Sequence, residues 1–269
     1  MSTHVFDTGI ALTATTDGSF TGHTSPAYAN MVGPFGGMTA AQAMNAVMLH
    51  PDRLGEPVAF TVNFAAALAE GSFTVKARAA RTNRSTQHWI IEFFQDDQTV
   101  LTATAVTALR RDTFSAAELE MPRVPAPAVV APTESKAPMQ WVRQYEMRHL
   151  TGSMPRLWDG MDSGSSLSQL WVRDADLRTL DFCSLTALAD VFFPRVYVRR
   201  PLRVAIGTVT MTVYFHANSG QLSRTGSGYL LGQARAQAFH NGFFDQTAQM
   251  WNEAGELLVT SHQLVYFKE

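Results

Sequence analysis

The stretch Leu180–Pro194, LDFCSLTALADVFFP, sets a single carboxylate, Asp190, within an apolar run, and the fold turns on how it is read. Phe182, Leu185 and Phe192 recur at helical spacing, with Ala189 on the same stripe. Asp181 suits an N-cap, and Pro194 a stop, because the residue before a proline is driven out of the α region. The pattern predicts a helix over 181–193. Asp190 follows Thr186 and Ala187 by one turn, on the small, polar side of that helix. A buried carboxylate is costly unless paired or used. Asp190 is therefore either a half-exposed acid holding a loop amide or a functional group.

The rest of the chain frames that choice. At 269 residues, two domains of ordinary length are expected. Hydrophobic residues make up 46% and charged ones 16%, which suits a large core under a modest surface. The net charge is −2 without a basic block, so the footprint of a nucleic-acid binder is absent. The single cysteine, Cys183, cannot form an intramolecular disulfide and fits a reducing cytoplasm. MSTHVFDTGIALTATTDG has neither the basic nor the apolar region of a signal peptide, and no apolar run reaches membrane-spanning length. The expectation is a soluble cytoplasmic protein without a membrane partner.

In chain order, Thr3–Thr15 reads as a strand, residues 20–37 as a loop ending in Gly36-Gly37, and 38–49 as a helix. Strands follow at Pro57–Ala67, Ser72–Thr82, Thr86–Gln95 and Thr99–Leu109, with a hairpin turn at Asp96-Asp97-Gln98. Pro122, Pro125, Pro127, Pro132 and Pro138 then mark an extended surface linker. Beyond it the order returns: strands at Trp141–His149 and Ser168–Val172, the helix, then strands at Ala205–Ala217, Tyr229–His240, Phe243–Asn252 and Leu257–Phe267. Letters repeat too. Offset by 157, Ala77-Arg78-Ala79 falls on Ala234-Arg235-Ala236, and Val100-Leu101 on Leu257-Leu258. Thr61-Val62-Asn63-Phe64 resembles Thr212-Val213-Tyr214-Phe215. The chain reads as two copies of one unit, 1–115 and 140–269, joined by 116–139. One apolar helix beside a run of alternating strands predicts an α+β fold in which a curved antiparallel sheet wraps the helix. That is a hotdog, and twice over a double hotdog.

Four segments in this order resemble the double-hotdog acyl-CoA thioesterases of the bacterial thioesterase II type. They are Val32-Gly33-Pro34-Phe35-Gly36-Gly37, Ala189-Asp190 with Pro194, Thr208 through His216, and Leu258–Gln263. The resemblance covers essentially the whole chain and implies hydrolysis of an acyl-CoA without a cofactor, within fatty-acid metabolism. It also implies a water held by Asp190, Thr208 and Gln263, all in the second half. Position 106 is a valine where the second half has Gln263, and the first helix carries Gln42 but no acid.

That set suits the chemistry. A carboxylate with two hydrogen-bonding partners can make water nucleophilic, and an incipient helix offers free, positively polarised amides to a developing oxyanion. Gly36 and Gly37 open the first helix and let a thioester approach the backbone; a simple helix-entry turn explains them equally. No G-x-S-x-G or H-E-x-x-H occurs, and the eight histidines lack metal-ligand spacing, so no metal is expected. Cys183 sits in the apolar helix with no case as a nucleophile. Gly226-Ser-Gly228 reads as a hairpin turn. Arg195, Arg199 and Arg200 read as a solvated surface or as contacts for coenzyme A phosphates. A hotdog hydratase or dehydratase, and a non-catalytic acyl-thioester-binding protein, remain as alternatives, and association into homo-oligomers is open.

Overall fold

Buried and exposed residues alternate along the long strands, so one face of each is apolar and must be covered. The computed structural model describes residues 3–134 and 138–269; residues 1 and 2 of the expected first unit, and 135–137 of the expected linker, lie outside the described residues. The first half comprises α1 (Val5–Gly9), β1 (Leu12–Ala14), β2 (Phe20–His23), α2 (Gly36–Met48), β3 (Glu56–Phe64), β4 (Ser72–Thr82), β5 (Thr86–Gln95) and β6 (Gln98–Ala108). The second comprises β7 (Tyr145–Thr151), β8 (Ser168–Asp174), α3 (Phe182–Leu188), α4 (Arg195–Arg199), β9 (Ala205–Phe215), α5 (Ser219–Thr225), β10 (Leu230–Arg235), β11 (Phe239–His240), β12 (Phe243–Asn252) and β13 (Leu257–Lys268).

The strands form one sheet in the order β1-β2-β4-β5-β6-β3-β9-β13-β12-β10-β8-β7, with β11 beside β12. β3 and β9 join the halves antiparallel at its centre, where Thr61 faces Thr212 with their hydroxyls 3.0 Å apart. These two threonines are also matched by the repeat, so an approximate twofold axis passes between them. α2 and α3 lie against the sheet's apolar face and are buried almost all round. The fold is α+β, a double hotdog.

β4, β5 and β12 begin and end where the sequence puts them, because period-two alternation and turn residues agree there. Asp96 and Asp97 adopt the positive φ of a two-residue hairpin turn. Elsewhere the structure corrects the expectation. Thr3–Thr15 is a helical turn followed by a short strand; the His4 ring caps the turn by accepting from the Phe6 N–H at 3.1 Å, and Phe6 is fully buried. Trp141 does not enter a strand but a single 3-10 turn, since its N–H and that of Gln140 donate to the Ala29 carbonyl. Tyr229–His240 breaks after Arg235, where the Asp245 carboxylate accepts from the Gln237 and Ala238 amides. Gly226 ends a helix, α5, rather than turning a hairpin: its φ of 60° is open to glycine, and its N–H caps the Leu222 carbonyl.

The repeat also slips by one residue. Val100 accepts from the Ala65 and Ala66 amides as Leu258 does from those of His216 and Ala217, an offset of 158. The first hairpin turns on two residues, whereas the second spans Glu253 to Gly255, closed by the Asn252 N–H on the Glu256 carbonyl. Gln263 pairs with Met211 as Ala105 pairs with Phe60, so its counterpart is Ala105, not Val106. The described part of the Pro-rich segment crosses the outer face of β7, β8 and β10. There the Pro125 carbonyl accepts from the Trp171 indole, and those of Pro127 and Val130 accept from Arg148.

Arg195 is fully buried and fastens α4 to the sheet, donating to the carbonyls of Phe193, Ser166 and Ala234 and to the Ser168 hydroxyl. Arg195→Met leaves those acceptors unpaired, and each such group costs ~1–3 kcal/mol. We expect a loss of about 2–4 kcal/mol in urea unfolding; a change below about 0.5 kcal/mol would contradict this role.

Candidate functional site

The helix expected over 181–193 is shorter than its pattern. A capping box starts it, the Asp181 carboxylate accepting the Ser184 N–H at 2.8 Å and the Ser184 hydroxyl accepting the Asp181 N–H at 2.9 Å. It ends after Leu188 because the chain tightens to three-residue bonds, Asp190 N–H to Ala187 and Val191 N–H to Leu188. The Phe193 carbonyl then turns to the Arg195 guanidinium before Pro194. Asp190 thus projects from the tightened last turn, half-buried.

The start of α2 meets it from the other half. The Phe35 N–H donates to the Tyr28 carbonyl at 2.8 Å, and its ring stacks on Trp141 at 4.3 Å. Gly36 and Gly37 follow directly. A Cβ on Gly37 would lie 2.6 Å from the Ala187 carbonyl oxygen, and one on Gly36 2.9 Å from Asp190 Oδ2. At the opposite end of the same crossing, Cys183 Sγ is 3.8 Å from Asn45 Oδ1, so the helices run antiparallel. Cys183 is buried, and burial pushes its thiol well above the usual range.

β13 supplies the third wall. Gln263, 4% exposed, donates from Nε2 to Asp190 Oδ1 at 2.8 Å and lies 3.5 Å from Met211 Sδ. Burial pushes the Asp190 carboxyl up to about 7, against the opposing pull of the Gln263 amide and the Gly37 N–H. Asp190, Gln263, Gly36 and Gly37 therefore converge. Thr208 sits further along: it faces Val265, two residues or ~7 Å beyond Gln263 on the same face, after a bulge in β9. Among the described residues it makes no hydrogen bond to Asp190 or Gln263.

Two nearby residues have no signal in the sequence that marks them. The Phe64 ring edge lies 3.5 Å from a Cβ position on Gly36. Tyr145 is buried with an unpartnered hydroxyl, and its ionisation is opposed first by burial and then by Tyr28, Asp174 and Asp190. Phe64 is visible only as a repeated letter and Tyr145 only as a strand residue. The three arginines divide. Arg195 is neither surface nor ligand contact but structural, while Arg199 and Arg200 are part-exposed and paired with Asp162 and Glu269.

The twofold counterpart of this site is filled. Gly36 opens α2 and Phe182 opens α3, and Phe64 meets the first as Phe215 meets the second, edge-on at 5.6 Å. Eight residues further on, Asp190 corresponds to Met44, which is fully buried. Phe182, Met44 and Ala105 thus stand where the open site has Gly36, Asp190 and Gln263. Gln42 is committed elsewhere, donating to the Gly9 and His23 carbonyls.

A family model of the acyl-CoA thioesterase N-terminal domain matches residues 25–108, and one of the C-terminal domain matches 116–267. The chain belongs to the acyl-CoA thioesterase family. It is thereby a thioester hydrolase. Among solved structures it is similar to a conserved hot dog protein of unknown function from Alicyclobacillus acidocaldarius, at 46% identity over 100% of this chain and 99% of that one, with a TM-score of 0.93. It shares its fold with the tesB protein of Mycobacterium avium subspecies paratuberculosis, at 18% identity, 99% and 100% coverage and a TM-score of 0.78. An acyl-CoA thioesterase II, TesB2, from Mycobacterium marinum has the same fold at 14% identity, 98% coverage of both chains and a TM-score of 0.74. A comparison with curated protein sequences finds no match. No described helix of this thioesterase is long and apolar enough to cross a membrane.

The raised Asp190 value carries a stability consequence. The folded protein holds this proton more tightly than the unfolded chain, so the group's contribution falls as pH rises from about 4 through about 7. Asp190→Asn should therefore be more stable than the parent at pH 8, by about 1–3 kcal/mol, and nearly equal to it at pH 4. Thermal unfolding at both pH values checks this; a variant less stable at pH 8 contradicts a strained, buried carboxylate.

Proposed function

We propose that the protein hydrolyses an acyl-CoA to the free acid and coenzyme A, with Asp190 as general base on the attacking water. One observation carries the reading: a half-buried carboxylate whose proton is lost near pH 7 lies against the opening amides of a helix from the other half. A base poised near the working pH is what water activation needs. Gln263, bonded to Asp190, and Thr208, further along the same face, orient the water in this scheme. Gly36 and Gly37, as the first amides of α2, have no intrahelical acceptor; the Gly37 N–H turns to Asp190 in the free protein, and both amides receive the thioester oxygen as it gains charge. Without a side chain at either position, the thioester carbonyl reaches the backbone. The catalytic side chains all come from the second half, residues 140–269, and the first half, 1–115, supplies the oxyanion amides.

The hydratase alternative requires a histidine working with the acid. His149 does not fit that part: it is bonded to Thr133 and stacked on Phe193, and burial with the Arg195 charge brings its pKa down to about 4. A binding protein without turnover has no need of a strained carboxylate at the thioester.

Free-thiol release from a panel of acyl-CoAs tests the activity. Asp190→Asn should lower kcat by ~10²–10⁴-fold, and Thr208→Val and Gln263→Leu by less, since they orient rather than abstract. An Asp190→Asn variant as fast as the parent ends the proposal.

The same base sets the pH dependence. kcat/KM should rise with pH to a plateau with a midpoint near 7, because only ionised Asp190 accepts the proton. In single-turnover hydrolysis in ¹⁸O water, direct attack by water puts the label in the released acid, whereas cleavage of an Asp190 anhydride at the aspartyl carbon puts it in the Asp190 carboxylate instead and releases an unlabelled acid.

A further inference from the structure

A cavity of about 380 Å³ opens where α4, the bend between β10 and β11, and the end of β13 meet. Phe239 and Phe267 line it with aromatic surface, Arg199 and Arg200 with guanidinium groups, and Ser166 and Gln237 with hydrogen-bonding groups. Arg199 pairs with Asp162 at 2.5 Å and Arg200 with Glu269 at 2.9 Å, all four side chains being 35–54% exposed. Exposed pairs of this kind are worth ~0–1 kcal/mol, whereas a phosphate takes paired, charge-assisted bonds from a guanidinium. An incoming phosphate therefore displaces Glu269 from Arg200 cheaply and competes with Asp162 for the two-point pairing of Arg199, whose Nη2 also donates to Asp162 Oδ2 at 3.0 Å. Behind the Ser166 wall lies the fully buried Arg195, bonded only to carbonyls and a hydroxyl, so no described carboxylate neutralises it. Its charge favours an anion in front of that wall.

The cavity stands at a definite distance from the site. Gln263 and Phe267 share one face of β13 four residues apart, ~13 Å along the strand. The phosphopantetheine arm of coenzyme A spans ~15 Å between sulfur and diphosphate when extended with peptide-like bond lengths. We propose that this cavity receives the nucleotide end of coenzyme A, adenine against Phe239 and Phe267 and phosphates on Arg199 and Arg200. The inference rests on the acyl-CoA reading above and adds the subsite that distinguishes a coenzyme A thioester from a bare pantetheine one.

The test compares an acyl-CoA with the acyl-pantetheine of the same acyl group, and measures adenosine 3′,5′-bisphosphate binding by calorimetry. Arg199→Gln/Arg200→Gln should raise KM for the acyl-CoA ~10–100-fold with kcat little changed, and leave acyl-pantetheine turnover within about twofold. It should also abolish bisphosphate binding, which Asp190→Asn should retain; Arg199→Lys/Arg200→Lys should keep part of both properties. Equal efficiency of the parent on the two thioesters overturns the inference, as does equal loss on both in the double variant. So does bisphosphate binding that is unaffected by the double variant or matched by inorganic phosphate. Absent bisphosphate binding with hydrolysis intact sinks the subsite alone. If neither thioester is cleaved while the bisphosphate still binds through the two arginines, the hydrolase reading falls and the nucleotide site stands.

Discussion

A backbone contact between the two helices constrains how the halves meet. Where α2 starts, a Cβ on Gly37 would stand 2.6 Å from the Ala187 carbonyl oxygen, a separation no side chain tolerates. Glycine there lets the two helices approach without an intervening side chain, and the sheet's apolar face closes over both. The same contact brings the last turn of α3, with Asp190, onto the first amides of α2. Core packing and the polar site are therefore one geometric fact: a residue that pushed the helices apart would also withdraw the carboxylate from the amides.

The twofold relation makes two such places, and one of them carries the glycines, the acid and the glutamine. At the other, Phe182 occupies the glycine's position, Met44 the acid's and Ala105 the glutamine's. The Phe182–Phe215 edge contact adds ~0.5–1.5 kcal/mol beyond burial. A second strained carboxylate would instead subtract from stability. The filled half gives the fold a firm base for the open one. This division of labour follows from duplication within one chain, because two identical subunits could not differ at paired positions.

Elements were legible where two independent signals agreed. β4, β5 and β12 combine alternation with clear turn residues, and their bounds match. α1 and α5 were not legible because they are only 5 and 7 residues long, and caps rather than periodicity define them. The end of α3 was misread because the apolar spacing continues through Phe192 and Phe193, both buried after the chain has left the helix. The hairpin after β12 holds one residue more than its counterpart, and letters alone do not reveal which strand absorbs it. At the site, Asp190, Gln263, Gly36 and Gly37 were found through family-like segments, and the fold brings these four together. Phe64 and Tyr145 reach the same place through chain crossings that no local pattern encodes.

A perturbed acid is not by itself a site, and this protein contains the comparison that shows why. Burial raises Asp174 to about 7 as well, with Arg178 opposing and Asp181 and Asp7 adding to the rise. Yet Asp174 is 4% exposed, faces Tyr145 across β7 and β8, and leaves Oδ1 without a partner. No hydrogen-bond donor among the described residues reaches that oxygen. Asp190 has the same tendency to hold its proton, but it is only partly buried, takes an amide from Gln263 and faces the opening of α2. Ionisation near neutrality is common to both carboxylates; access and a waiting set of donors belong to one. What separates the two is the glycine pair on the opposing helix, which brings the first amides of α2 against Asp190, whereas Asp174 is sealed in the core.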